Sequence, residues 1–153
     1  MMTSITGGCQ CGAIRYELSE APQSEFCHCG MCRRASGGAF AALATVPKAA
    51  FRWTKGTPRT FDSSTAAQRG FCGDCGTPLT FAPHASKSMD VSIGSLDDPE
   101  ALGPLKLEFA VESRLSWLAP TEGAHQQRLD EYKAAPAFQP GFRSLQAPPK
   151  EAS

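Results

Sequence analysis

Apolar residues along this chain recur in short alternating runs rather than in helical stripes. Ile14, Tyr16 and Leu18 alternate with Arg15 and Glu17, and Val91 and Ile93 flank Ser92, the period-two signature of a half-buried strand. Runs of this kind predict strands near Ala13–Leu18, Ala39–Val46, Phe51–Trp53, Arg59–Asp62, Gln68–Phe71, Pro78–Phe81, Met89–Ser95 and Lys106–Glu112. Gly7-Gly8, Gly37-Gly38, Gly56 and Gly76 punctuate them as turns or close backbone approaches. Helix signals are scarce. Residues 123–134, with Leu129 and Tyr132 three apart, form the best helical stretch, and Asp97-Asp98-Pro99-Glu100 predicts a turn or short helix with Pro99 at its first position. From about Ala135 the chain is rich in Pro, Ala and Gln and includes Pro148-Pro149-Lys150-Glu151 near its end, a composition that predicts an irregular or disordered surface tail. The pattern describes a mainly β domain over residues 4–133 and a Pro/Ala-rich tail over 134–153.

Composition narrows the partners. A chain of 153 residues suits one domain with its own core. Lys plus Arg equals Asp plus Glu at 15 each, so no global charge steers the protein to nucleic acid or an anionic membrane. No apolar run reaches membrane-span length, and Met1-Met2-Thr3-Ser4-Ile5-Thr6 has neither the basic nor the apolar region of a secretory signal. The sequence therefore reads as cytoplasmic. There seven cysteines, an odd number in a reducing compartment, argue for metal before disulfides.

The seven fall into three groups: Cys9-x-Cys11, Cys27-x-Cys29-x2-Cys32 and Cys72-x2-Cys75. A Cys-x2-Cys step sets two sulfurs on one ion across a tight turn whose N–H groups face the thiolates, which eases the packing of negative sulfur. A Cys-x-Cys step does the same on an extended segment, where i and i+2 share a face. Gly12 and Gly76 follow the flanking pairs, where a positive φ would suit the knuckle. Buried apolar cysteines are the bland alternative, but gaps of one and two residues do not arise that way. A redox Cys-x2-Cys lacks the βαβ surroundings it would need.

Seven ligands divide into four plus three, a closed zinc site and an open one. Spacing leaves two pairings. Cys29 and Cys32 with Cys72 and Cys75 would form a ribbon and strand three thiols; Cys9 and Cys11 with Cys72 and Cys75 would leave Cys27, Cys29 and Cys32 as a compact triad. The second leaves no orphan thiol and is preferred.

The blocks around these cysteines are recognisable together. They run Gly8-Cys9-Gln10-Cys11-Gly12, Ile14-Arg15-Tyr16, Phe26-Cys27-His28-Cys29, Cys32-Arg33-Arg34, Ser36-Gly37-Gly38 and Phe40, then Ser63-Ser64, Arg69-Gly70-Phe71-Cys72, Cys75-Gly76-Thr77-Pro78-Leu79 and Gly94-Ser95-Leu96-Asp97-Asp98-Pro99. From about Gly7 to Trp117 the chain resembles the glutathione-dependent formaldehyde-activating enzyme family, which also includes the centromere protein V type. The resemblance implies a β-tent of small antiparallel sheets around zinc. It implies a structural Zn²⁺ on Cys9, Cys11, Cys72 and Cys75, and a catalytic Zn²⁺ with an open position on Cys27, Cys29 and Cys32. It further implies a carbon–sulfur lyase in which a small thiol such as glutathione adds to an aldehyde to give an S-hydroxymethyl adduct. A non-catalytic, zinc-stabilised interaction module is the alternative. Where many relatives carry a histidine before the late tryptophan, this chain has Glu108 ahead of Trp117.

Neighbouring residues acquire candidate roles. His28, between two ligands, points its ring away from the metal in an extended segment and is either a proton carrier or a supporting residue. Arg33 and Arg34 follow the triad and suit substrate carboxylates or thiolate charge. Ser36, Gly37 and Gly38 suit a backbone wall beside the open position. Arg69, three residues before Cys72, is expected to support the closed site. Asp97 and Asp98 fit a turn, Trp53 and Trp117 a core or pocket wall, and His84 and His125 solvated loops.

Overall fold

A computed structural model describes residues 4–147. Residues 1–3, and residues 148–153 of the expected tail, lie outside the described residues. The fold is mainly β, as the alternation predicts. Strands β1 (Ile5–Gly8), β2 (Arg15–Leu18), β3 (Gln23–Cys27), β4 (Ala41–Pro47), β5 (Phe51–Lys55) and β6 (Arg59–Ser64) precede β7 (Ala67–Phe71), β8 (Pro78–Pro83), β9 (Ser88–Ser92), β10 (Leu107–Phe109) and β11 (His125–Gln127). Among the described residues there is one α-helix, α1, over Gly30–Ser36. Strands β1, β2 and β5 form a three-stranded antiparallel sheet; the other eight form one sheet in the order β11-β10-β3-β4-β9-β8-β7-β6. That second sheet is larger than the small sheets expected, and it is mixed, because β10 runs parallel to both β3 and β11.

The main core lies between the two sheets. Alternation turns Tyr16 and Leu18 of β2 inward against Ala44, Val46, Met89 and Val91 of the large sheet. Phe51 and Trp53 pack on Tyr16, with ring centroids 5.4 and 6.0 Å away. Tyr16 Oη shares a 2.7 Å hydrogen bond with Ser95 Oγ, which satisfies a fully buried phenol. Gly7 sits against this ring: a Cβ there would lie 2.5 Å from the Ser95 carbonyl oxygen. At the sheet's edge, Arg15 is ion-paired with Asp97.

The opposite face of the large sheet carries a different set. Residues paired across antiparallel strands share a face, as do i and i+2 along one strand. Cys27 pairs with Ala41, Glu25 with Leu43, and Thr45 with Asp90. Asp90 pairs in turn with Phe81, and Phe81 with Arg69. A single face thus gathers Glu25, Cys27, Asp90, Phe81 and Arg69, with a small apolar cluster of Cys27, Cys32, Ala41 and Leu43 at one end.

Several local expectations are corrected. Residues 123–134 are not helical: they hold β11 and a 3₁₀ turn over Leu129–Glu131. Leu129 and Tyr132 are too few to define a buried stripe; instead the β11 backbone pairs with β10, and Glu131 accepts a hydrogen bond from Arg128 N at 3.0 Å. The strand expected over Lys106–Glu112 ends at Phe109, because Ala110 adopts a left-handed conformation (φ 57) and a 3₁₀ turn follows. Pro99 does begin a short 3₁₀ helix, Pro99–Leu102. Described residues after Ala135 are tied to the domain: Leu145 N donates to Ser63 O and Gln146 Nε2 to Met31 O, while Ala135 is buried. Among the described residues no helix is long and apolar enough to cross a membrane.

Candidate metal centres

Cys9 and Cys11 lie in the turn leaving β1, and Cys72 and Cys75 in the turn between β7 and β8. Their four sulfurs lie within 4.8 Å of one another. The local chain explains the approach. Ile14 N donates to Cys9 Sγ at 3.2 Å, and Thr77 Oγ1 lies 3.1 Å from Cys75 Sγ while accepting from Gln10 N at 3.1 Å. Gly12 and Gly76 take φ values of 76 and 78 with open space where a Cβ would stand, so backbone conformation and not crowding calls for glycine there. Cys9 and Cys72 are buried in the main core; Cys11 and Cys75 are exposed.

The second group is local. Cys27 ends β3, Cys29 is the N-cap of α1, and Cys32 lies in the first turn of that helix; their sulfurs also lie within 4.8 Å of one another. Cys29 Sγ accepts from Cys32 N at 3.4 Å, as a capping side chain does. Hydrogen bonds from Cys27 and Cys32 draw Cys29 down to about 3, while the bond to Cys29, then that to Cys32 and burial, push Cys27 well above its ordinary value.

Both groups fit a thiophilic ion. Sulfur separations are 3.5 Å for Cys9–Cys11, 3.7 Å for Cys11–Cys72 and 3.5 Å for Cys27–Cys29. Tetrahedral zinc with bonds of ~2.3 Å places its sulfurs about 3.8 Å apart, whereas a disulfide needs ~2.05 Å. All seven cysteines are free. The first group offers four ligand atoms and the second three, with no fourth Cys, His, Asp or Glu joining it among the described residues.

Around the triad, the other candidates take the following partners. Arg33 Nη1 donates to His28 O at 2.6 Å and Ser113 O at 2.7 Å, clamping α1 to the segment after β10. Arg34 Nη1 donates to Ala147 O at 2.6 Å. Ser36 Oγ accepts from Gly38 N, and Gly37 caps α1 in a left-handed conformation (φ 69), its N–H bonded to Arg33 O. His28 is buried, with Nε2 3.1 Å from Glu108 Oε2. Glu108 also accepts from Arg114 and from Thr121 N at 2.8 Å. Burial would raise the Glu108 carboxyl, but the bonds from Thr121, Arg114 and His28 win and hold it at about 2. Burial lowers His28.

Arg69 is corrected most. It does not serve the four-sulfur group: its Nη2 donates to Cys32 Sγ at 3.5 Å, and its guanidinium lies 4.5 Å from the centre of the Phe81 ring. Spacing in sequence favoured Cys72, but pairing with Phe81 and Phe61 turns the side chain to the other face of the sheet. Two carboxyls escaped the sequence reading. Burial raises Glu25 to about 8 and Asp90 to about 6, and Thr45 Oγ1 donates to Asp90 at 2.6 Å. The signal for Glu25 was its i, i+2 relation to Cys27; for Asp90, its alternation with Met89 and Val91.

Comparisons with known proteins agree with this architecture. Residues 4–112 match the family model described as glutathione-dependent formaldehyde-activating enzyme. An uncharacterized lyase of Schizosaccharomyces pombe is 34% identical over 82 residues, 53% of this chain and 59% of that protein. The chain therefore spans about three fifths of that relative's length. A Halomonas elongata protein provisionally named a glutathione-dependent formaldehyde-activating enzyme is 24% identical over 124 residues, covering 74% of this chain and 79% of its own. A crystal structure of a Rhodobacter sphaeroides protein superposes with a TM-score of 0.50 at 26% identity, covering 65% of this chain and 96% of that one. With the family model matched over most of its length, this chain belongs to the glutathione-dependent formaldehyde-activating enzyme family.

Proposed function

We propose that the protein is a zinc-dependent carbon–sulfur lyase that forms or cleaves the adduct of a small thiol, such as glutathione, with formaldehyde or a related aldehyde. In the forming direction the thiol sulfur bonds to the carbonyl carbon, the C=O π pair moves to oxygen, the thiol proton leaves sulfur, and a proton is delivered to that oxygen. Cys9, Cys11, Cys72 and Cys75 would hold one zinc, and Cys27, Cys29 and Cys32 the other. When bound to the triad, zinc supplies a Lewis acid that keeps an incoming thiol deprotonated at neutral pH.

The chain's own residues prepare that site. Arg69, on Cys32 Sγ, offsets thiolate charge in a buried place. Arg33 fixes α1, and so Cys29 and Cys32, against the Ser113 carbonyl. His28 is a positioning residue, because its Nε2 is committed to Glu108, which ties β3 to β10. Ser36 lines a neighbouring cavity of about 900 Å³ whose walls include Phe81 and Arg69, and Arg69 is the residue that links that cavity to Cys32. The observation that carries the reading is the grouping of three sulfurs without a fourth protein ligand among the described residues.

The test combines zinc analysis with an NMR assay of thiol–formaldehyde exchange. About two zinc ions per chain and adduct formation faster than in buffer are expected. Exchange at the buffer rate with both ions present would overturn the reading.

A further inference from the structure

We propose that a second cavity, floored by Glu25 and Asp90 and covered by residues 132–140, is a binding site for a primary alkylammonium ion with an apolar body. The proposal goes beyond the lyase reading and does not rest on it, since none of the seven cysteines lines this cavity.

Strand parity builds the floor. On the face of the large sheet away from the main core, Thr45 opposes Asp90 and Asp90 opposes Phe81. Glu25 opposes Leu43 on one side and Leu107 on the other, so the two carboxyls flank β4 on one face. Phe109, two residues beyond Leu107, joins the same wall, and Tyr132 meets its ring edge-on with centroids 5.8 Å apart. The covering segment is anchored, because Ala135 is buried and its N–H donates to Tyr132 O at 2.9 Å. These elements bound about 940 Å³, the size of a small-molecule site.

The unmet acceptors identify the ligand. Asp90 is 9% exposed, and its one side-chain hydrogen bond among the described residues comes from Thr45 to Oδ1, which leaves Oδ2 facing no protein donor. Glu25 is half-buried and joins no ion pair or side-chain hydrogen bond among the described residues. No Lys or Arg among them lines the cavity, and His84 at its rim is exposed. Arg69 stands beyond Phe81 in the ladder, donates to Cys32 Sγ and lines the other cavity. Carboxylates withdrawn from water without a cation are costly. An ammonium group supplies the charge and three donors, and the rings of Phe81, Phe109 and Tyr132 favour a cation that carries apolar surface. A bare metal ion fits less well: the groups that converge three or more ligand atoms among the described residues are the two cysteine groups, without Glu25 or Asp90.

The test is an NMR titration of the zinc-loaded protein with 2-phenylethylammonium, its neutral counterpart 2-phenylethanol and the anion 3-phenylpropionate. The cation is expected to bind about tenfold or more tighter than the alcohol, as a charged hydrogen bond predicts, and the anion more weakly than either. The largest shifts should fall on Leu107, Phe109 and Tyr132. Glu25→Gln and Asp90→Asn should each lose about that tenfold for the cation and little for the alcohol, and Tyr132→Leu should weaken the cation further than the alcohol. If Asp90→Asn fails to fold, the half-buried Glu25→Gln and the exposed Tyr132→Leu carry the test. Equal binding of cation and alcohol, or unchanged cation binding in Glu25→Gln, would overturn the proposal. So would shifts confined to residues 27–34, which would place the amine on the metal of the triad, and so would displacement of the cation by equimolar calcium chloride.

Discussion

Replacing one cysteine in each group by serine separates what the two groups do. With metal bound to the four-sulfur group, Cys72 would clip the β7–β8 turn to the turn after β1, and it is 61 residues from Cys11. By the loop-closure relation used for crosslinks, fixing ~60 residues lowers the entropy of the unfolded chain by the equivalent of about 4 kcal/mol. Cys72 is also 1% exposed within the main core, so a serine hydroxyl there is buried without a designed partner. Cys29 closes only a loop of ~5 residues, equivalent to about 2 kcal/mol, and as the N-cap of α1 it accepts from Cys32 N. Serine is a favoured N-cap and retains that bond. Zinc-loaded protein unfolded in guanidinium and followed by tryptophan fluorescence should therefore show Cys29→Ser within about 1–2 kcal/mol of the parent. Cys72→Ser should lose about 4 kcal/mol or more, a large share of the ~5–15 kcal/mol that holds a domain. Zinc content should fall in both, and exchange activity should vanish in Cys29→Ser while its fold persists. Equal destabilisation by the two substitutions would refute the division of roles.

Other perturbations probe the same framework. Gly7→Ala forces a methyl group against the Tyr16 ring and the Ser95 carbonyl; it should cost about 2–3 kcal/mol, read as a lower denaturation midpoint, and a neutral result would mean that β1 can shift. Glu108→Gln removes a carboxylate held at about 2 rather than 4.5. A depressed carboxyl stabilises the fold above its unfolded value and loses that contribution as pH falls toward its folded value. The variant should therefore be less stable by about 3 kcal/mol at pH 7, with the gap closing below about pH 4.5; a gap independent of pH would sink the assignment. Stripping zinc with a chelator should abolish hydrogen-exchange protection first at 9–14 and 72–77, while β3, β4 and β9 stay protected longer; uniform loss would argue against a local clip.

The sequence announced the β class through the alternation of Ile14, Tyr16 and Leu18, and it announced the cysteine groups through spacing. Both are local signals. Strands β1 and β3 were hidden because Ile5–Gly8 and Gln23–Cys27 contain few apolar residues; they are extended because neighbouring strands complete their hydrogen bonds. Helix α1 was hidden for another reason. Its N-cap is a cysteine, and a residue read as a metal ligand was not read as a cap. The strand of residues 125–127 depends on β10 beside it, a contact no window of sequence contains. Arg69 shows the limit most clearly. Its distance from Cys72 in sequence is three residues, yet its contact is with Cys32, 37 residues away.

That contact follows from the parity of side chains in a sheet with two occupied faces. On β9, Val91 belongs to the main core, while its neighbour Asp90 faces the triad side. On β4, Ala44 and Val46 join the core while Ala41 and Leu43 pack beside Cys27 and Cys32. Adjacent positions thus answer to different constraints: one member of each pair is fixed by packing against the small sheet, while the other lies on the face that carries Cys27 and Cys32. The four-sulfur group lies with the first set, since Cys9 and Cys72 are part of the main core, and the triad lies with the second. A substitution at Glu25, Phe81, Asp90 or Arg69 therefore leaves the contacts that hold the two sheets together in place, provided the substituted side chain keeps to its own face.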